Sequence, residues 1–206
     1  MKVLVINGSP HPAGCTDRAL REVENTLKEN GIETVRVNVG NKDIRGCIAC
    51  NFCREHGRCV FNDLVNETAP LLAEADGVVV GSPTYYAGAN GQLHSFLDRL
   101  FYSTFSTPKT MKVGAAVVSS RRAGSTSVFD EINKYFTISA MPIVSSTYWN
   151  EVHGFTAADV EQDLEGLQTM RNLGRNMAFL IKAIDASRKD IPQQERGFFT
   201  SFHCEG

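Results

Sequence analysis

Five short runs along the chain are either apolar almost throughout or alternate apolar with polar residues: 2–6 (KVLVI), 34–39 (TVRVNV), 77–82 (GVVVGS), 112–119 (KVGAAVVS) and 141–147 (MPIVSST). They are rich in β-branched residues and too short for helices, so they read as strands. Runs that stay apolar on both alternating faces suit a parallel sheet covered on both sides. Between them, segments 16–30, 62–75, 91–102, 125–138 and 156–187 repeat their apolar residues at helical spacing. The last carries Val160, Leu164, Leu167, Met170, Leu173, Met177, Leu180, Ile181 and Ile184 on one packing face. Strand and helix alternating in this way predict an α/β fold, a doubly wound five-stranded parallel sheet between two layers of helices. Ligands of such folds sit in the crevice outside the carboxyl ends of the strands. The loops after strands one, three and four are therefore the places to look for chemistry.

Composition narrows the class of function. A chain of 206 residues that is 42% hydrophobic can bury one substantial core. It has no internal repeat, low-complexity stretch or Pro/Gly/Ser-rich linker. Residues 1–190 thus read as one ligand-binding domain with a cysteine-rich insertion at 46–60, and 191–206 as a C-terminal tail. With 21 basic and 23 acidic side chains, nothing in the charge favours nucleic acid or an anionic membrane as partner. No segment approaches the roughly 18 to 20 apolar residues of a membrane span. The opening apolar run is stopped by Gly8 and Pro10, too early for a signal peptide. The expected compartment is the cytoplasm, where thiols stay reduced.

The loop after the first strand runs from Gly8 through Ser9, His11 and Gly14 to Cys15 and Thr16, just ahead of a helix. Glycines, hydroxyls and a helix N-terminus together make a cradle for a phosphate. Neither the dinucleotide GxGxxG pattern nor a Walker lysine is present. The plainer alternative is a helix capped by Thr16 with nothing bound. After strand three, Pro83, Thr84, Tyr85, Tyr86 and Ala87 precede the helix bearing Leu93, Phe96, Leu97 and Leu100. Two adjacent tyrosines there are hard to bury together, and a flat aromatic ligand would use them; packing at a subunit interface is the other reading. Strand four ends in Ser119, Ser120 and Arg121, with Gly124 following. An arginine pair alone marks a solvated surface, but here it completes a third polar loop at the same sheet edge. A phosphate cradle, an aromatic platform and polar donors converge on a phosphorylated planar heterocycle.

Four of the six cysteines, Cys47, Cys50, Cys53 and Cys59, fall in C-x2-C-x2-C-x5-C spacing within residues 46–60. In a reducing compartment these are ligands or redox groups rather than a disulfide framework. Three readings stay open at this point. The spacing can bring four thiolates to a [4Fe–4S] cluster. Zinc accepts the same donors, although its structural sites more often present two separated pairs. Free thiols with pKa values lowered by Arg54, His56 and Arg58 are the third. Cys204 belongs with the tail.

The Gly8-Ser9-Pro10 to Thr16 loop, the Ser82-Pro83-Thr84-Tyr85-Tyr86 segment and the Gln92-Leu93 to Phe96-Leu97-Asp98-Arg99 helix resemble the flavodoxin-like NAD(P)H-dependent FMN reductases. The Cys47 to Cys59 segment is similar to that of their iron–sulfur flavoprotein branch. The resemblance implies a flavodoxin-like sheet and noncovalent FMN, in a homodimer or homotetramer. It places Ser9, His11, Gly14, Cys15 and Thr16 at the phosphate. It sets Pro83, Thr84, Tyr85, Tyr86 and Ala87 beside the isoalloxazine, and Ser119, Ser120, Arg121 and Gly124 near the pyrimidine side. His11 stands where the family commonly has Arg or Lys, and Cys15 where it has Asn or Ser. The implied activity passes reducing equivalents from NAD(P)H to a quinone, flavin, metal or other small acceptor, with no catalytic side chain because the flavin carries the chemistry. An iron–sulfur electron carrier is the alternative, and a non-redox phosphate-ligand module with a zinc-stapled loop is the outsider.

Overall fold

A computed structural model describes residues 1–195, 198 and 200; Cys204 lies outside the described residues. Strands β1 (Lys2–Asn7), β2 (Glu33–Asn38), β3 (Gly77–Pro83), β4 (Val113–Ser120) and β5 (Glu151–His153) form one sheet in the order β2-β1-β3-β4-β5. Every neighbouring pair is parallel. Helices α1 (Cys15–Glu29), α2 (Phe52–His56), α3 (Leu64–Glu74), α4 (Gly91–Ser103), α5 (Ser125–Ile138), α6 (Ala157–Val160) and α7 (Leu164–Ala186) complete the chain's main elements. This is the doubly wound, flavodoxin-like arrangement that the alternating pattern predicts.

Strand periodicity of two divides the core. Val3 and Val5 of β1, with Val79, Ala115 and Val117, pack under α1 and α7 against Leu20, Val23, Met170 and Met177. Leu4 and Ile6, with Val78, Val80, Ala116 and Val118, face the other layer, where Leu72, Phe96, Leu100 and Phe136 of α3, α4 and α5 bury them. Strands β1, β3 and β4 are therefore apolar on both faces. Between the layers β1 and β3 are neighbours, yet β1 leads into α1 on one face and β3 into α4 on the other. Their divergence opens a crevice at the carboxyl edge of the sheet.

Two elements depart from the sequence expectation. The fifth strand is not 141–147. Met141 to Val144 touch β4 only through one bridge, in which Gly114 N–H donates to Pro142 O and Val144 N–H to Gly114 O, both at 2.8 Å. The chain then leaves the sheet through residues 145–150. Ser146 Oγ meets Tyr148 O and Asn150 Oδ1 there, both at 2.7 Å, while Asn150 Nδ2 stays buried without a partner. It rejoins at Asn150, whose carbonyl accepts from Val118 N–H at 2.9 Å, and β5 pairs with Val118–Ser120. An edge strand tolerates such an interruption because only one side of it is paired.

The second departure is the long helix expected over 156–187. Thr156 starts α6 with a capping box to Asp159, and Asp163 caps α7 anew by accepting from Gly166 N–H at 2.9 Å. Short polar side chains that compete for backbone N–H groups break the helical run. Among the described residues no helix is long and apolar enough to cross a membrane.

Candidate functional site

The crevice at the carboxyl edge is an open cleft of about 790 Å³. Its wall brings together Ser9, His11, Gly14, Cys15, Thr16, Pro83, Thr84, Tyr85, Ser119, Ser120 and Arg121, all expected from sequence. Gly154, Phe155, Thr156 and Ala157 of the same chain also line it; from sequence Gly154 reads as a turn or as a crevice residue lent by a neighbouring subunit, and the other three have no such place because the loop follows the misplaced fifth strand.

The first loop is held through its backbone N–H groups. Gly8 N–H donates to Gly81 O at 2.8 Å, Ser9 N–H to Asn7 Oδ1 at 3.0 Å, and Gly14 N–H to His11 O at 3.2 Å. The loop after β2 closes in behind it. A Cβ on Gly40 would lie 2.1 Å from Gly8 O, so only glycine permits that approach. The N-cap of α1 is Gly14, which brings no side-chain cap, and Thr16 instead bonds Ser119 Oγ at 2.8 Å. In place of the alternative Thr16 cap there is a tie from α1 to β4. The first N–H groups of α1 lack a side-chain acceptor, and the positive end of the helix dipole favours an anion there. Cys15 donates its thiol to Gly154 O at 3.4 Å. Burial pushes its pKa up, so it stays a neutral lining group.

Nearby cations are committed elsewhere. Arg18 pairs with Glu22 and Glu161, and Arg36 with Asp17 and Glu24. Arg121 is exposed on the cleft wall. The cleft wall at this loop thus offers backbone N–H groups, Ser9 and His11 rather than an uncommitted lysine or arginine.

The platform loop is a tight two-residue turn. Tyr85 and Gly88 exchange backbone hydrogen bonds at 2.9 Å in both directions, and Tyr86 and Ala87 between them have φ of 52° and 58°. Left-handed backbone costs a non-glycine residue roughly 1–3 kcal/mol. Glu131 holds the turn from behind, accepting from Ala89 N–H at 3.0 Å and facing His94 Nε2 at 3.3 Å. The turn sends Tyr85 to the cleft wall and Tyr86 outward into solvent. Tyr86, Ala87 and Gly124 are consequently not on the wall. Gly124, with φ of 89°, supports it from below, since a Cβ there would lie 3.0 Å from Ala87 Cα.

Two observations fit a flat phosphorylated ligand. The Thr84 Oγ1 atom is shut off from solvent and has no hydrogen-bond partner. Tyr85 and Phe155 on the wall are 44% and 80% exposed, an aromatic surface that a planar ring would cover.

The cysteine loop lies apart from this cleft, against the middle of α4. Cys47, Cys50, Cys53 and Cys59 all line one small apolar cavity, closed by Phe61, Arg99 and Tyr102. Ala49 and Asn51 flank Cys50 with φ of 52° and 58°, curling the backbone around the cavity. Burial raises the pKa of Cys53, and the other three thiols, near enough to repel its charge, raise it further. Among the described residues no three His, Cys, Asp or Glu side chains approach closely enough to hold a single metal ion. A cluster differs, because each thiolate binds a different iron and the four sulfurs stand further apart.

The amino-terminal 156 residues match the family model described as NADPH-dependent FMN reductase. The chain belongs to that family. It is an FMN-dependent oxidoreductase. It is 37% identical to an iron–sulfur flavoprotein of Methanocaldococcus jannaschii, over 89% of this chain and 99% of the relative. It is 27% identical to an iron–sulfur flavoprotein of Methanosarcina thermophila, over 91% and 99% respectively. Among solved structures, the NAD(P)H:acceptor oxidoreductase FerB of Paracoccus denitrificans superposes with a TM-score of 0.65 at 16% identity, over 88% of this chain and 97% of that one. That likeness concerns the fold.

Proposed function

We propose that this protein is an iron–sulfur flavoprotein, an oxidoreductase that takes reducing equivalents from NAD(P)H at FMN and exchanges electrons with a [4Fe–4S] cluster held by Cys47, Cys50, Cys53 and Cys59. The observation that carries the cluster half is the convergence of all four thiols on one cavity. The names of the two relatives support the same reading.

FMN, when bound, supplies the conversion between hydride pairs and single electrons. The chain's own residues do the rest. The Ser9 to Thr16 loop and the uncapped start of α1 bind the phosphate end. Thr84 offers its unpartnered hydroxyl, Tyr85 and Phe155 exclude water from the ring, and Arg121 stabilises negative charge at the polar edge. Arg99 is nine residues along α4 from its cap Asn90, about 13 Å from the cleft end of that helix. The acceptor is a small molecule or a metal complex. Self-association as a homodimer or homotetramer belongs to this reading, since Tyr86 and Phe155 leave aromatic surface exposed at the mouth of the cleft.

Anaerobic rapid mixing with NADH or NADPH tests the reading. Flavin absorbance should bleach first and the paramagnetic signal of a reduced cluster should follow. If neither nucleotide bleached the flavin, the donor would be wrong; bleaching with no cluster signal would remove the cluster.

A further inference from the structure

Arg99 is among the largest fully buried side chains of the protein, 1% exposed, and it points at a sulfur. Its Nε and Nη2 donate to Cys59 Sγ at 3.3 and 3.2 Å. The same guanidinium forks onto Asp63, Nη1 to Oδ2 at 2.7 Å and Nη2 to Oδ1 at 2.8 Å, and Nη1 also donates to Arg45 O at 3.2 Å. Phe61 packs on its face, 5.0 Å from ring centroid to Cζ. Every direction in which the guanidinium can form bonds is used, so its orientation toward Cys59 is fixed.

Cys59 is fixed from the other side. Its N–H donates to Asn66 Oδ1 at 2.9 Å, and Asn66 Nδ2 returns a bond to Cys59 O at 3.0 Å. Asp63 is itself anchored as the cap of α3, accepting from Val65 N–H at 3.1 Å. Cys59 thus sits in a rigid frame built by α3 and α4, whereas Cys47 and Cys50 are exposed on the loop. A buried arginine is expensive to desolvate; Asp63 and Arg45 O take three of its five N–H groups, and the remaining two go to Cys59 Sγ.

Resting on the cluster reading above, we infer that Arg99 is a tuning residue for the cluster, raising its reduction potential through the hydrogen bonds it donates to Cys59, and that Asp63 moderates that effect. Hydrogen bonds to a ligating sulfur are one of the levers that set a cluster's potential. Adding an electron makes the cluster and its thiolates more negative, so donors and positive charge beside them stabilise the reduced state. Asp63 acts in the opposite sense by neutralising part of the guanidinium charge. The arrangement also makes the four cysteines unequal: one iron has a donor-rich ligand, and the loop side does not.

The test is a potentiometric titration of the cluster by electron paramagnetic resonance, in the full-length holoprotein and three variants. Arg99→Met and Arg99→Lys should move the midpoint to more negative values, lysine less so, because it keeps the charge but loses the fork. Asp63→Asn, which keeps an oxygen to cap α3, should move the midpoint to more positive values. Iron and FMN content, with circular dichroism, establish that each variant is loaded and folded. A purely structural role for Arg99 predicts lowered iron content at an unchanged midpoint, and that result overturns the inference. So does a shift of the same sign in the Arg99 and Asp63 variants. Wild-type protein that binds FMN but no iron would sink the cluster reading, and this inference with it; wild-type protein with iron and insensitive variants would sink the inference alone.

Discussion

Thr16 Oγ1 and Ser119 Oγ lie 2.8 Å apart beneath the flavin cleft, joining the first turn of α1 to the end of β4. Both residues are buried, at 1% and 4% exposure. Removing one hydroxyl strands the other, which costs about 1–3 kcal/mol. Thr16→Val should therefore lower the unfolding free energy of the apoprotein by about that amount and weaken FMN as the cradle loosens. The double variant Thr16→Val/Ser119→Ala should recover part of the loss, since neither hydroxyl is then left alone. Denaturant unfolding of wild type, Thr16→Val, Ser119→Ala and the double variant checks this; a double variant as weak as the sum of the singles argues against a mutual bond.

Thr84 behaves in the opposite way. Its Oγ1 has no partner in the apoprotein, so Thr84→Val removes an unmet polar group and should leave apoprotein stability unchanged or raised. If FMN supplies the missing partner, the same change should weaken binding by about 1 kcal/mol, roughly fivefold in Kd. Fluorescence titration with FMN, alongside thermal unfolding without it, separates the two effects. Equal affinity in variant and wild type would remove Thr84 from the site.

The turn at Tyr86 and Ala87 stores strain. Ala87 has φ of 58°, a conformation glycine adopts freely. Ala87→Gly should relieve about 1 kcal/mol of strain, part of it offset by glycine's greater freedom in the unfolded chain. Because Ala87 is off the cleft wall, FMN affinity should stay within a factor of about two. Lower stability in this variant would show that the backbone there is not strained.

Lys109 gives a pH dependence of known sign. It is buried against the carbonyls of Thr104 and Thr107. Burial, aided by the charge of Lys112, lowers its pKa from 10.5 to about 8. Across that window the unfolded chain holds a proton that the folded chain has released, so this group makes stability rise as pH increases from about 8 to 10.5. Below about 8 both states are protonated and the penalty is present in full. Wild type should therefore gain stability relative to Lys109→Gln between those limits; parallel curves for the two proteins would contradict the burial of a charged Lys109.

Much of this was legible in the sequence, for identifiable reasons. Strands β1, β3 and β4 are buried on both faces and β2 alternates apolar with polar residues, and these patterns place all four to within a residue or two. The cradle, SPTY and Ser119–Arg121 stretches were recognisable because backbone-approach and aromatic residues cluster where a parallel sheet puts its loops. The fifth strand was not, because Met141–Val144 carry the apolar signal while the hydrogen-bonded ladder belongs to Glu151–His153, whose sequence is short and half polar. That displacement hid Phe155 to Ala157 as well. Tyr86 looked like half of a platform, and only the left-handed turn turns it away. Arg99 was unreadable as a sulfur partner, since an arginine on an amphipathic helix ordinarily faces solvent. Its role depends on a cysteine 40 residues away in sequence.

The proposed function stands most directly on one composition measurement: flavin, iron, acid-labile sulfide and zinc per chain in anaerobically purified protein, for wild type and Cys50→Ser. The account predicts about one FMN and roughly four iron and four sulfide in wild type, with iron and sulfide lost and FMN retained in Cys50→Ser. Wild-type protein with FMN but no iron, or with zinc in its place, would contradict it.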